Sequence, residues 1–203
     1  MSRTAIVAVT LAAACVLPAV AQAPRPAPQP TPPTRPRGAQ VMTLSGPWAD
    51  GGSVPIKYTQ AGGEISPALA WSQVPEGVTH FVLVVHDVDA LVGAGQDDLL
   101  HWLVWNIPGD ATGLPEGVPQ GPIRADGSRQ ISATGPDYRG PGAPASGPPH
   151  HYVFELYALD APVNVAATGL SPAETRAAVM AAMTGHIRGK AVYTGLFKRA
   201  GQG

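Results

Sequence analysis

Three segments of the chain, His80–Asp87 (HFVLVVHD), His101–Ile107 (HWLVWNI) and His151–Leu159 (HYVFELYAL), are apolar at nearly every position rather than at every second one. Such dense β-branched and aromatic runs read as strands, and their continuity means that both faces of each strand are covered. A fourth strand reads from Lys190 to Phe197, with Gly195 as a candidate bulge. Weaker strand signals occupy Gln40–Leu44, Ile56–Tyr58 and Leu69–Ser72. Segments 109–121 and 135–149 are dense in Gly, Pro and Asp and therefore read as loops. One helix is clear. Ser171 caps it, Pro172 takes the first helical position, Glu174 completes a capping box, and Ala173–Met183 runs to a stop at Gly185. The expected fold is mainly β: two packed antiparallel sheets with a short C-terminal helix.

The first 39 residues have a different character. Arg3 precedes an apolar run from Ala5 to Val20, and the run ends in the small residues Ala19-Val20-Ala21. A basic start, an apolar stretch and an A-x-A exit describe a secretory signal peptide over residues 1–21. Cleavage after Ala21 is preferred to cleavage after Ala23, which would leave Pro24 directly behind the cut. Pro18 interrupts the run, which is also short of the roughly 20 residues a bilayer span needs. The mature protein is therefore expected to have no transmembrane span. Residues 22–39 form a Pro-rich linker, in which proline at nearly every second position removes backbone donors and leaves an extended spacer. Cys15, the single cysteine, sits in a poor lipoprotein box, because Ala12 stands where a bulky aliphatic residue belongs. Lipid attachment there is the lesser expectation, and periplasmic or secreted localisation the main one.

Residues 40–203 are the size of one domain. Of the 13 basic residues, Arg3, Arg25, Arg35 and Arg37 lie ahead of it, leaving nine against 14 acidic ones. That balance, with no basic stripe, excludes nucleic acid as a natural partner. Without Cys15 the mature chain has no disulfide, thiolate nucleophile or cysteine metal site.

Candidate chemistry lies where strands meet loops. Strict alternation puts Asp87 and Asp89 on one face of their strand and His86 on the other. His150 shares a face with Tyr152, while His151 lies opposite with Glu155. His101 opens its strand after Gln96-Asp97-Asp98. Sequence spacing alone does not bring these groups together.

The ordered motifs Ser66-Pro67-Ala68-Leu69-Ala70-Trp71, Asp87-Val88-Asp89-Ala90, His101-Trp102, Gly135-Pro136-Asp137-Tyr138-Arg139-Gly140-Pro141 and His150-His151-Tyr152-Val153-Phe154 resemble the phosphatidylethanolamine-binding protein family. The resemblance runs over roughly residues 42 to 199 and is nearest the bacterial Raf-kinase-inhibitor-like (YbhB/YbcL) branch. It implies a two-sheet antiparallel fold and a small anion pocket for phosphate, acetate or a phospholipid head group. Carried across motif by motif, the pocket residues are Asp87, Asp89, His101, Gly140, Pro141, His150 and Tyr152. Imidazoles and a tyrosine hydroxyl can donate to anion oxygens, and ionised Asp87 and Asp89 would orient the histidines. The sequence departs from the family pattern at Val88 and Leu91, where the family has prolines. Gly142-Ala143-Pro144 replaces the usual continuation after Gly-Pro, and His151 stands where the family carries arginine.

The resemblance implies a non-catalytic binding protein with no cofactor or metal, possessing a small anionic ligand and a protein partner that it inhibits, a kinase or a protease. The alternative is a hydrolase using the His/Asp cluster on a phosphoester or ester. Against it, the sequence contains no G-x-S-x-G, H-E-x-x-H or P-loop pattern. A metal site using His86, His101 or His150 is a further option, as is a surface-tethered structural role for which only the linker speaks. The leader reading predicts that the protein recovered after export has an intact mass beginning at Gln22. A start at a lipid-modified Cys15 would contradict it.

Overall fold

A computed structural model describes residues 40–201. The signal peptide of residues 1–21, Cys15 and the linker of residues 22–39 lie outside the described residues, as do Gln202 and Gly203.

The strands are β1 (Gln40–Val41), β2 (Thr43–Ser45), β3 (Gly52–Ser53), β4 (Leu69–Ser72), β5 (His80–Val92), β6 (Asp97–Pro108), β7 (Gly113–Leu114), β8 (Arg129–Ile131), β9 (His150–Leu159) and β10 (Ile187–Phe197). The helix α1 spans Pro172–Ala182. The large sheet runs β1-β10-β9-β5-β6-β8, with β3 also on β10, and the small one runs β2-β4-β7. Pairing is antiparallel except where the two-residue strands β1 and β3 lie parallel to β10.

The continuous apolar runs are explained by cover on both faces. Phe81, Leu83, Val85, Trp102, Val104, Phe154 and Leu156 pack with Leu44, Leu69, Trp71 and Leu114 of the small sheet. Val82, Val84, Leu103, Trp105, Tyr157 and Leu159 pack instead with Val179 and Met183 at α1. The helix starts as its sequence requires: the Ser171 hydroxyl accepts from the Glu174 N–H, and the Glu174 carboxylate accepts from the Ser171 N–H at 2.9 Å. A cap of this kind contributes about 1 kcal/mol.

Two local expectations are corrected. Ile56–Tyr58 is a 3₁₀ turn, not a strand. Pro55 begins it, and the N–H groups of Tyr58 and Thr59 bond back to the carbonyls of Pro55 and Ile56. Gly195 is not a bulge: it pairs in register with Tyr152, and the irregularity of β10 lies between Ile187 and Gly189. Glycine is needed at 195 for close approach instead. A Cβ there would lie 2.4 Å from Val54 Cγ2 and 2.8 Å from Trp48 Nε1.

On the helix side of the sheet a half-buried charge cluster ties α1 down. Arg176 of α1 pairs with Asp98 of β6, and the other oxygen of Asp98 lies 2.5 Å from His86 Nδ1. His86 Nε2 is 3.7 Å from Glu155, which Lys190 also engages. Burial pushes the Asp98 carboxyl up, but Arg176 and His86 more than offset it and hold it below its usual value. A depressed carboxyl stabilises the fold above its unfolded pKa of about 4, and the contribution fades as pH falls through the lower folded value. Asp98→Asn is therefore expected to be less stable than wild type at neutral pH and to lose less on acidification below about pH 4. Urea unfolding across that range checks it.

Candidate functional site

The opposite face of the central strands carries a second polar cluster, placed there by two irregularities in the β5–β6 pairing. Val85 pairs with Trp102 but His86 pairs with Leu100, so His101 is an extra residue on β6. A bulge of this kind re-aims a side chain that alternation would send elsewhere. His101 consequently joins the face of its neighbour Trp102, which is packed in the core between the sheets, and its ring stands edge-on to Tyr152 at 5.0 Å. β6 begins at Asp97, so His101 lies within its strand rather than at the opening that the sequence indicated.

The second irregularity follows Asp87. Asp87 pairs with Leu99 and Leu91 with Asp98, leaving residues 88–90 without partners on β6. Asp87 fills the gap: its Oδ1 accepts the N–H groups of Asp89 and Ala90, each at 3.1 Å. The same carboxylate lies 2.9 Å and 3.1 Å from His150 Nδ1. Asp87 is 2% exposed, a burial that an ionised carboxylate tolerates only with such partners.

The looped-out residues also overturn the expectation that Asp87 and Asp89 share a face. Asp89 engages the next residue of β9 instead of His150: its Oδ2 accepts the His151 N–H at 2.6 Å and lies 2.9 Å from His151 Nδ1. These bonds hold the Asp89 carboxyl below its ordinary value. Asp87 with His150 is buried, and Asp89 with His151 is an exposed pair beside it.

Tyr152 closes the floor. Its hydroxyl accepts the N–H groups of Gly142 and Ala143 at 3.1 Å and 3.0 Å, which anchors the 140–143 loop on β9. Burial and then the Asp87 carboxylate push the phenol well above its usual pKa, so the hydroxyl keeps its proton. Gly140 and Pro141 are buried in the same loop. A Cβ at Gly140 would lie 2.7 Å from the Tyr58 carbonyl oxygen. The Gly140 N–H donates to Glu64, its carbonyl accepts from the Gln60 side chain at 2.8 Å, and the Gln60 N–H donates to the Pro141 carbonyl.

His101 completes the set. Its Nδ1 donates to the Arg139 carbonyl at 2.9 Å, and its own carbonyl accepts the Arg139 N–H. The residue is 1% exposed, and its Nε2 has no hydrogen-bond partner among the described residues. Burial holds the imidazole below its ordinary pKa, although the Arg139 carbonyl and the Asp87 charge act in the other direction.

The structure thus brings together Asp87, His101, Gly140, Pro141, His150 and Tyr152 and sets Asp89 beside them. Sequence reasoning missed Glu64, Gln60 and the Arg139 backbone, which hold the loop and the His101 ring. His86, weighed as a metal ligand with His101 and His150, is on the other side of the sheet in the Asp98–Arg176 cluster. Among the described residues, no three His, Cys, Asp or Glu side chains are grouped to hold a metal ion.

Fold and site together define a class: a two-sheet β protein with a cluster of buried Asp87, His101 and Tyr152 and half-buried His150 on its central strands. The chain belongs to the phosphatidylethanolamine-binding protein family, whose model matches residues 45–198. It is 40% identical over 152 residues to a UPF0098 protein of Methanothermobacter thermautotrophicus, covering 74% of this chain and 93% of that one. It is 33% identical over 156 residues to LppC of Mycobacterium tuberculosis, named as a candidate lipoprotein, covering 74% of this chain and 71% of that one. The crystal structure of Escherichia coli YbcL, described as a member of the mammalian PEBP family, superposes with a TM-score of 0.63 at 26% identity, covering 78% of this chain and 98% of that one. The bacterial YbhB/YbcL branch is where the chain sits.

Tyr152→Phe removes the acceptor of two N–H groups. It is expected to cost about 1–3 kcal/mol in chemical unfolding and to speed hydrogen exchange at Gly142 and Ala143. Unchanged exchange at those amides would show that the hydroxyl does not anchor the loop.

Proposed function

We propose that this member of the family is an exported, non-catalytic binding protein. Its pocket, formed by Asp87, His101, Gly140, Pro141, His150 and Tyr152 with Asp89 at the rim, takes phosphate or a phospholipid head group. The observation that carries the reading is the convergence of two imidazoles and a phenol on one buried carboxylate, with a polar ring atom left unpartnered at the centre. Buried polar atoms are ordinarily paired, so one left open next to a hydrogen-bonded cluster marks a place for a ligand.

Each group has a role in this reading. Asp87 fixes His150 with Nδ1 toward the carboxylate, so that the ring, when it carries both hydrogens, offers Nε2–H to a ligand. Tyr152 keeps its hydroxyl hydrogen, and Gly140 lets the loop backbone lie close to the turn at Tyr58. The His150 side chain is 20% exposed, which leaves an approach to the cluster. A protein partner would meet the same rim, where Asp89 and His151 are exposed.

Export is supported by the leader-like first 21 residues and by the name of LppC. Export also directs the search for an inhibited partner outside the cytosol. Among the described residues, no helix is long and apolar enough to cross a membrane.

Titration of the full chain with phosphate and with phosphoethanolamine, followed by NMR, tests the proposal. Saturable shifts centred on His101, Gly140, His150 and Tyr152 are expected, with affinity at least about tenfold weaker in His150→Ala, the size of one charge-assisted hydrogen bond. Silence at those residues would contradict the pocket. Turnover of a phosphoester that His150→Ala abolishes would replace the binding reading with a hydrolase.

A further inference from the structure

The hydrogen-bond inventory of the pocket restricts which ionic form of a phosphate it can hold. This step rests on the binding reading above and adds the protonation state of the ligand. The His101 Nδ1 hydrogen is committed to the Arg139 carbonyl at 2.9 Å. A neutral imidazole with its hydrogen on Nδ1 has a lone pair on Nε2, so the unpartnered atom is an acceptor. It awaits a donor, which a fully ionised anion does not have.

None of the groups around His101 bonds to that nitrogen. Asp87 on β5 is an acceptor already filled by two backbone N–H groups and His150. Tyr152 on β9 stands edge-on to the ring; its hydroxyl oxygen accepts from Gly142 and Ala143, and its hydrogen makes no bond to His101 Nε2. His150 directs Nδ1 at Asp87. Glu64, across the Gly140 backbone, is another acceptor and is taken up by the Gly140 N–H. Arg139 contributes its carbonyl and a positive charge, which opposes a positive charge on the imidazole, and its buried Nε–H is likewise without a partner among the described residues. Protonating His101 to meet an anion works against burial as well. The buried Asp87 charge also repels a second negative charge on the ligand.

We infer that the pocket takes the singly ionised, hydroxyl-bearing form of a phosphate, whose O–H donates to His101 Nε2 while its remaining oxygens accept from His150 and Tyr152, and that it discriminates against doubly charged anions of the same shape. One proton enters the pocket with each ligand. Of the ligands in the reading above, free phosphate and a free head group in its phosphomonoester form meet this requirement equally, and the phosphodiester of an intact phospholipid, which has no acidic O–H, does not.

Inorganic phosphate and inorganic sulfate, tetrahedral ions of similar size, separate the possibilities when titrated into the full chain at constant ionic strength from about pH 5.5 to about pH 8.5, a range that brackets imidazole titration. Sulfate is doubly charged throughout. The expected result is phosphate affinity that falls at least about tenfold per pH unit once the second phosphate proton is lost, the slope for the ligand proton alone, which loss of the His150 Nε2 hydrogen can only steepen. Sulfate is expected to bind at least about tenfold more weakly than phosphate at the acid end, as for one lost hydrogen bond with an unpaired partner. Methyl phosphate should follow phosphate, and dimethyl phosphate should follow sulfate. Sulfate matching phosphate, or phosphate affinity rising with pH, overturns the proton-bearing ligand while leaving an anion pocket in place. Binding of none of these ions removes the pocket itself, and this inference with it.

Discussion

The buried carboxylate of Asp87 is the group on which the site depends. Removing an ionised carboxylate from water costs several kcal/mol even after a protein relaxes around it, so the charge must be matched by donors. Asp87 finds them in the backbone of Asp89 and Ala90 and in the His150 ring. Those bonds shape the chain. Folding the two N–H groups inward makes residues 88–90 leave the β6 pairing, and that departure carries Asp89 away to His151. The carboxylate orients one imidazole, lies within electrostatic reach of a second, and raises the pKa of the phenol between them.

The large sheet separates two polar clusters with different consequences. On the helix side, Arg176 pairs with Asp98, Asp98 with His86 Nδ1 and Lys190 with Glu155, a group that fastens α1 to the sheet and leaves only His86 Nε2, 3.7 Å from Glu155, without a hydrogen bond among these side chains. On the other side, the Asp87 cluster ends in an acceptor without a partner. Each cluster thus leaves one imidazole nitrogen without a hydrogen bond among the described residues, and His86 Nε2 has the Glu155 carboxylate at ion-pair distance. The difference lies in His101, whose Nδ1 is held by a backbone carbonyl and whose other nitrogen is left over.

Much of the fold was legible in the sequence because its signals were redundant. Continuous apolar runs required cover on both faces, and Ser171, Pro172 and Glu174 fixed the start of the helix. The family motifs supplied the site residues, but the pairing among them came from backbone features that a period of two does not encode. Alternation carries each side chain to the opposite face from its neighbour, and one extra residue at His101 reverses that parity without any mark in the sequence. Asp89 failed for the same reason, three residues having left the ladder just ahead of Leu91. Glu64 and Gln60 were missed because they act on a loop that starts 76 and 80 residues further along the chain. No local pattern links such positions. Gly195 was recognised as unusual, but its reason is the packing of Trp48 and Val54 against the strand, which only the tertiary structure contains.

The tautomer of His101 tests the account most directly. Long-range proton–nitrogen correlation spectra of the ligand-free full chain distinguish the two neutral imidazole tautomers from each other and from the charged ring. His101 is expected to be neutral near pH 7, with its hydrogen on Nδ1 and a bare Nε2, because the Arg139 carbonyl claims Nδ1–H and burial disfavours the charge. A hydrogen on Nε2, or a charged ring at that pH, would contradict it. The bulge would then not hold His101 in the orientation on which the pocket is built.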